Sequence, residues 1–184
     1  VLPCLPIVPD ALVEQLERFA GQIVIGPRSG SRDADFAIPE GLAPGPLQAL
    51  FPGKVVRVES LRPGLVHPGD GWEIARWHED LETSSQLELS AKDGTPACWK
   101  HGKTRYLAAW PEPGLAAEVL RRAAGDAGLA LHALPKGLRL RRAGNRIFAF
   151  NYGAQPIELP ASVQGRLVLG ERRLPPADLS VLED

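Results

Sequence analysis

The sequence predicts an α/β domain over residues 1–132, followed by a small antiparallel β domain over residues 133–184. A strand, a helix and a second strand follow one another in the first 25 residues, and this order normally forms a right-handed parallel crossover. After Leu134-Pro135 the pattern changes to short strands separated by turns. The charge changes at the same place, because residues 133–184 carry 8 basic and 5 acidic side chains, and residues 1–132 carry 13 and 17.

The composition argues against several other classes of protein. The chain has 184 residues, a net charge of −1 and 44% hydrophobic residues, which is enough for a folded core. Its 19 glycines and 18 prolines make up about a fifth of the chain, against roughly an eighth in average proteins, so a helical bundle is not expected. The near-neutral charge argues against nucleic acid as a partner. No apolar run approaches the ~18 residues of a membrane span, so no membrane partner is expected either.

The first helix is expected to begin at Asp10, whose side chain makes a good N-cap. Leu12, Leu16 and Phe19 then form one apolar stripe. Gly21 stands where a C-terminal capping glycine belongs. The helix therefore has a start signal, a core-facing side and a stop signal.

A β-branched run at residues 22–25 predicts a strand that is covered on both faces. The next stretch, residues 26–53, is rich in glycine and proline and is too long for an ordinary connection. Loops of this length usually carry contacts. Within it, residues 46–51 predict a short helical turn.

The remaining elements of the first domain are strands and one further helix. Strands are expected near residues 55–58 and 87–89. Residues 97–108 predict a hairpin with Gly102 in its turn. The strongest helix prediction covers residues 113–128, where one face collects Leu115, Val119, Leu120 and Ala123.

The second domain is predicted as a set of short antiparallel strands. Leucine alternates with arginine over residues 138–142, as in a strand with one buried face. A turn at residues 144–145 separates this strand from the next one, at residues 146–152. A further strand is expected at residues 165–169.

The chain contains two cysteines, Cys4 and Cys98, without metal-type spacing. We interpret both as free, reduced and buried, which fits a cytoplasmic protein. Cys4 lies between a strand and a helix, where a hydrolase could mount a nucleophile. The adjacent Pro3 lacks an amide donor and restricts the turn. An inert thiol is therefore favoured, and an amidotransferase-like cysteine hydrolase is kept as an alternative.

Two further stretches could carry chemistry but favour structural interpretations. Residues 26–31 follow a strand as a phosphate-binding loop does, but that loop must run into a helix, and residues 32–35 do not start one. Packing against another domain or subunit is favoured instead. His78, Glu79 and Asp80 are adjacent, so their side chains point in different directions, and a solvated loop is favoured over a metal site.

The four tryptophans favour core packing, although aromatic rings also bind sugars. A carbohydrate-binding module is therefore a second alternative, with Trp72, Trp77, Trp99 and Trp110 as its platform. Retaining glycoside hydrolysis needs two carboxylates about 5 Å apart, and no local pattern singles out such a pair. We assign no catalytic residue, no metal ligand and no cofactor to the chain.

Five stretches of the first domain resemble the trimerisation domain of glycoside hydrolase family 42 β-galactosidases: residues 10–19, 22–31, 38–47, 58–61 and 102–107. Residues 151–160 resemble the family's small C-terminal β domain. The resemblance implies an incomplete parallel sheet of the flavodoxin and glutamine amidotransferase type, with a clipped first strand, and then the antiparallel domain. It also implies a longer parent polypeptide, which agrees with a sequence that opens with Val1-Leu2-Pro3 and lacks methionine.

By the same resemblance, the parent is a retaining glycosidase that releases terminal non-reducing β-galactose. Its two catalytic glutamates would lie in an N-terminal (β/α)8 barrel, outside these residues. The implied partners are that barrel, its galactoside substrate and the sister subunits of a homotrimer. Candidate contacts are the hairpin at residues 97–108 and seven residues of the long loop: Gly26, Pro27, Arg28, Gly30, Pro44, Gly45 and Pro46.

Overall fold

The computed structural model describes residues 1–131 and 133–184. These form two compact units, Val1–Ala130 and Leu131–Asp184. The expected boundary between residues 132 and 133 adjoins His132, which lies outside the described residues. Each unit has a hydrophobic core of its own, with two clusters in the first unit and one in the second.

The chain is mostly sheet with few helices. In the first unit the elements are α1 (Asp10–Arg18), β1 (Ile23–Ile25), a 3-10 helix (Gly45–Ala49), β2 (Gly53–Ser60), β3 (His67–Pro68), β4 (Glu73–Ile74), β5 (Trp77–Thr83), β6 (Gln86–Ser90), β7 (Pro96–His101), β8 (Thr104–Leu107) and α2 (Pro113–Asp126). In the second unit they are β9 (Leu138–Ala143), β10 (Arg146–Asn151), β11 (Ile157–Glu158), β12 (Arg166–Leu169), β13 (Arg173–Leu174) and β14 (Leu179–Glu183).

The main sheet of the first unit has the strand order β1-β8-β7-β6 and is mixed rather than parallel. The pair β1–β8 is parallel, and Leu2 forms a further parallel bridge to Ile25, so the predicted strand–helix–strand order is present. The pairs β7–β8 and β6–β7 are antiparallel. Their connections are short, and a parallel pairing needs a crossover of a dozen or more residues.

The predicted first helix forms, but both of its ends differ from the prediction. Pro9 is the N-cap, and Asp10 is the first helical residue and makes no capping hydrogen bond. At the other end Phe19 is an extended cap, so Gly21 does not serve as the capping glycine. Lys103 caps this end of the helix instead. Its Nζ donates to the carbonyl oxygen of Leu16 at 3.2 Å and also to those of Glu17 and Phe19.

The second helix and the hairpin form close to their predicted positions. Helix α2 buries Leu115, Val119 and Ala123, whereas Leu120, predicted on the same face, is 43% exposed. The hairpin of β7 and β8 turns at Gly102, where φ is +54°. The predicted helical turn of the long loop is the 3-10 helix.

The second unit is antiparallel, as predicted. Its four-stranded sheet has the order β12-β14-β10-β9, and β11 pairs with β13 beside it. Leu138 is fully buried and Leu140 packs against the same core, while Arg139 and Arg141 are exposed. The alternation therefore predicted the buried face of β9 correctly. Within the residues that the structure describes, no helix is long and apolar enough to cross a membrane.

Candidate functional site

The glycine-rich loop after β1 contains a point where two backbone segments touch. At Gly30, φ is +63°, and a Cβ atom would lie 1.8 Å from the carbonyl oxygen of Pro44. At Gly45, φ is +58°, and a Cβ atom would lie 2.7 Å from the carbonyl oxygen of Gly30. Glycine alone accepts both the conformation and the close approach. The fold therefore brings together the two halves of the predicted interface set, residues 26–30 and 44–46.

The seven predicted interface residues differ in exposure. The Gly26 amide donates to the Leu2 carbonyl at 2.6 Å, and a Cβ atom on Gly26 would lie 2.0 Å from the Pro3 carbonyl oxygen, so this end of the loop is packed inside the unit. Arg28 and Pro46 are exposed, and Gly45 is half-buried. The other four residues are buried: Gly26, Pro27, Gly30 and Pro44.

Arg28 is fixed through its backbone and presents its side chain at the surface. Its φ is +64°, a conformation that costs a residue with a Cβ atom about 1–2 kcal/mol. Its amide donates to Oε1 of Glu79 at 2.9 Å. Its guanidinium carbon lies 5.3 Å from the centre of the Trp77 ring, within the range of a cation–π contact.

Glu79, on β5, connects this loop to β8 and to the Trp77 side chain of its own strand. Its side chain is 1% exposed. Oε1 also accepts a hydrogen bond from Nε1 of Trp77 at 2.9 Å, and Oε2 accepts one from the Tyr106 hydroxyl at 2.6 Å. Burial, with the nearby negative charge of Glu79, raises the pKa of Tyr106 well above its ordinary value, which keeps the phenol protonated as a donor. We name Arg28, Trp77, Glu79 and Tyr106 the Glu79 cluster.

The interpretation of residues 78–80 as a solvated loop is therefore wrong. They belong to β5, and His78 is 4% exposed with Nε2 2.8 Å from the Pro96 carbonyl oxygen. No apolar alternation marks β5, because its most buried side chains are polar. The one signal in the sequence was the predicted strand at residues 55–58, since a strand needs a neighbour to pair with. Over residues 1–131 and 133–184, no group of three or more His, Cys, Asp or Glu side chains is placed to hold a metal ion.

A groove of about 370 Å³ opens beside the Glu79 cluster. Its lining combines guanidinium groups with branched aliphatic side chains. Its one carboxylate, Glu79, already accepts three hydrogen bonds. Such a lining suits contact with another surface and provides no nucleophile beside a general base. The guanidinium groups and aliphatic side chains of this lining belong to Arg28, Arg32, Ile38, Leu42, Val56, Arg57 and Val58.

Three backbone amides of residues 26–31, those of Gly26, Arg28 and Gly30, are already engaged, which argues against phosphate binding. The Arg28 amide faces a carboxylate oxygen, and the Gly30 amide donates to the Leu5 carbonyl at 2.9 Å. Pro27 has no amide hydrogen. A phosphate needs several free amides that converge on it, and this loop does not supply them.

The two cysteines lack the surroundings of a nucleophile. Burial raises the pKa of the Cys98 thiol to about 12, and the negative charge of Glu88 adds to the effect. Cys4 is half-buried rather than buried as expected. Both are free. A reactive thiol needs an adjacent base or a depressed pKa, which excludes Cys98. The Cys4 sulfur has no hydrogen-bonded base among the residues that the structure describes, so the cysteine hydrolase alternative is not supported.

Three of the four tryptophans pack against the two core clusters of the first unit or belong to the Glu79 cluster. Trp99 packs against one core cluster of the first unit and Trp72 against the other, as core packing predicts. Trp77 carries the Arg28 guanidinium over its ring, so that this face is not free to stack on a sugar. Trp110 is half-buried. The carbohydrate-binding alternative is not supported either.

Known proteins resemble this chain over its whole length. A sequence model described as the β-galactosidase trimerisation domain matches residues 1–130. A β-galactosidase of Thermus thermophilus is 47% identical over 188 aligned residues, which cover 100% of this chain and 29% of that protein. A crystal structure of the β-galactosidase from the psychrophilic Marinomonas ef1 matches with a TM-score of 0.92 at 33% identity, covering 100% of this chain and 28% of that one. The chain thus spans less than a third of the length of either relative.

Proposed function

Because this chain belongs to the β-galactosidase trimerisation domain family, we propose that it is the assembly segment of a β-galactosidase and joins three copies of the parent enzyme. The observation that carries the proposal is the family match, which covers the first compact unit from end to end. The site supports it as well, because the buried polar groups of the Glu79 cluster satisfy one another and the groove beside them is suited to docking.

Hydrolysis belongs, in this proposal, to a catalytic barrel outside these residues. That barrel would carry two glutamates that release terminal β-galactose with retention, and the galactoside would reach the protein there. The proposal places the assembled enzyme in the cytoplasm. The catalytic part outside these residues is supported by the proteins of Thermus thermophilus and Marinomonas ef1, each of which is a β-galactosidase of more than three times this length.

The proposed subunit contact uses the loop at residues 26–46. Arg28 and Pro46 are exposed and would meet the neighbouring subunit directly. The other five candidates act through the shape of the loop, since Gly26, Gly30 and Gly45 each allow a backbone contact that a Cβ atom would block. Most of the hairpin at residues 97–108 is buried in the sheet, so its contribution would be limited to the turn around Gly102.

We propose that residues 1–132 are the trimerisation domain and residues 133–184 the C-terminal β domain of the parent. The first would be a reduced sheet of the flavodoxin and glutamine amidotransferase type. Support for this kinship comes from the parallel bridge of Leu2 to Ile25, the crossover through α1 and the parallel pair β1–β8. Strands β6 and β7, which pair with each other in antiparallel fashion, would then be additions to that sheet.

Sedimentation velocity of the purified chain over a range of concentrations tests the proposal. We expect a species of three times the 19.8 kDa chain mass, and no hydrolysis of a nitrophenyl β-galactoside by the same sample. A monomer at every concentration would contradict the assembly function. Turnover of the galactoside would contradict the assignment of catalysis to another part of the parent.

A further inference from the structure

The loop at residues 33–42 holds large apolar side chains in solvent. Phe36 is 71% exposed and Ile38 is 66% exposed. The loop is nevertheless well ordered by its own hydrogen bonds, because Oδ1 of Asp33 accepts from the amides of Asp35 and Ala37 at 3.0 and 2.9 Å. An ordered segment that displays apolar side chains is typical of an interaction surface.

The backbone of this loop is also strained where it presents those side chains. Phe36 has a φ of +64° and Leu42 a φ of +61°, although neither is glycine or asparagine. Nε2 of Gln48 fixes the second position by donating to the carbonyl oxygen of Leu42 at 3.2 Å and to that of Gly41 at 2.7 Å. Such conformations persist where the surroundings impose them, and they cluster at binding sites.

The apolar surface continues from the loop onto β2. Val56 and Val58 are 54% and 51% exposed, and they line the same groove as Ile38 and Leu42. The groove also contains the guanidinium groups of Arg28, Arg32 and Arg57. We name these seven residues the docking groove and its four apolar side chains the aliphatic wall. Arg57 is ion-paired with Glu59 and Asp80, so the positive charge beside the aliphatic wall comes from Arg28 and Arg32.

The outer side of α1 combines negative charge with an exposed aromatic ring, which complements the positive charge and the aliphatic wall of the docking groove. Glu14 and Glu17 are exposed on this helix, and Phe19 just beyond it is 51% exposed. Glu14 forms an ion pair with the exposed Arg18, so Glu17 carries the negative charge of this surface. This end of α1 lies at the start of β1, which begins at Ile23, whereas Arg28 lies beyond the other end of that strand. One copy therefore carries Phe19 and Arg28 beyond opposite ends of β1.

We propose that the docking groove of one copy receives the α1 surface of a second copy, with Phe19 against the aliphatic wall and Glu17 facing Arg28 and Arg32. This inference rests on the proposed assembly function and names the surfaces that carry it. Two different patches make the contact heterologous, which is the type of interface that a closed three-membered ring requires. Complementary charge fixes the register of such a contact.

Charge reversal tests the pairing. Arg28→Glu and Glu17→Arg are each expected to weaken association at least tenfold in sedimentation experiments, because each places like charges across the interface. The double variant, Arg28→Glu with Glu17→Arg, restores opposite charges and is expected to return to within threefold of the original. Circular dichroism of each variant checks that the fold is retained.

Ile38→Asp tests the aliphatic wall without altering the arginines, and is expected to weaken association at least tenfold. Val168→Asp is the matched control: Val168 is 44% exposed on β12 of the second unit, and its substitution should leave association unchanged. If the chain assembles and neither the charge reversals nor Ile38→Asp affects assembly, the docking groove is wrong and the proposed function stands. If the unmodified chain does not assemble at all, both proposals are overturned.

Discussion

At the scale of single residues, Gly30 is the position where a side chain is least tolerated. A Cβ atom would meet the Pro44 carbonyl oxygen at 1.8 Å, and φ is +63°. We expect Gly30→Ala to lower the free energy of unfolding by more than about 2 kcal/mol, since strain and a backbone clash add. Urea denaturation measures this change.

Gly125 provides the control for that substitution. It lies in α2 with open space around it, and alanine has the higher helix propensity, so Gly125→Ala should be neutral or stabilising by up to about 1 kcal/mol. Equal losses in the two variants would contradict the close approach of the loop to Pro44.

Glu79 is the second residue with a sharp expectation. Removal of its carboxylate by Glu79→Ala leaves the Arg28 amide, the Trp77 indole and the buried Tyr106 hydroxyl without an acceptor. We expect a loss of about 3 kcal/mol in the free energy of unfolding, because hydrogen bonds to a buried charge are worth about 1.5–3 kcal/mol each and compensation is partial.

Glu82 lies on the same strand and is exposed. Glu82→Ala should therefore change stability by less than about 0.5 kcal/mol. Thermal melts of both variants, followed by tryptophan fluorescence, separate the two cases. A Glu79→Ala protein as stable as the Glu82→Ala protein would mean that the cluster does not support the loop.

At the scale of elements, the C-terminus of α1 depends on a side chain from the β7–β8 turn. Lys103 donates to three carbonyl groups there, and its positive charge also suits the helix dipole. Lys103→Met should destabilise the chain by about 1 kcal/mol and increase hydrogen exchange in the last turn of α1. Lys92→Met, at an exposed ion pair with Asp70, should have less than about half that effect.

The junction of β8 with β6 and α2 predicts an acid dependence. Arg105, with a side chain 1% exposed, contacts Glu88 twice at 2.8 Å and Asp126 at 2.6 Å. Hydrogen bonds from Lys100 and then from Arg105 lower the pKa of Asp126 from 3.8 to about 2. Because the pKa is lower in the folded state, this contribution is complete above about pH 4 and is lost as the pH falls towards 2.

Asp126→Asn removes that titration. Its free energy of unfolding should be lower than that of the unmodified chain at neutral pH and should fall less steeply between pH 4 and 2. Urea denaturation at several pH values gives the two slopes. Parallel curves over this interval would show that Asp126 does not contribute in this way.

The elements that the sequence predicted are those with a local signal. The apolar stripe of α1, the turn at Gly102 and the alternation over β9 each lie within one stretch of chain. Strand β5 and the cap at Lys103 could not be found this way. Glu79 is buried because Arg28 of the loop and Tyr106 of β8 meet it beside Trp77 of its own strand, and Lys103 reaches α1 only once β8 pairs with β1.

At the scale of the whole molecule, the resemblance to the trimerisation domain predicted the family before any geometry was known. It did not predict the exposure of the interface candidates, because burial of Gly26, Pro27, Gly30 and Pro44 depends on backbone contacts across the loop. The exposed apolar residues Phe36 and Ile38 likewise have no distinguishing pattern in the sequence. Only the fold separates residues that shape the loop from those that can reach another subunit.

Subunit mixing tests directly whether this chain joins three copies. Unlabelled and 15N-labelled chains are mixed, allowed to exchange and measured by native mass spectrometry. We expect four masses for the assembled species, corresponding to zero, one, two or three labelled chains. Two masses, as for monomers, or three masses, as for dimers, would contradict this expectation.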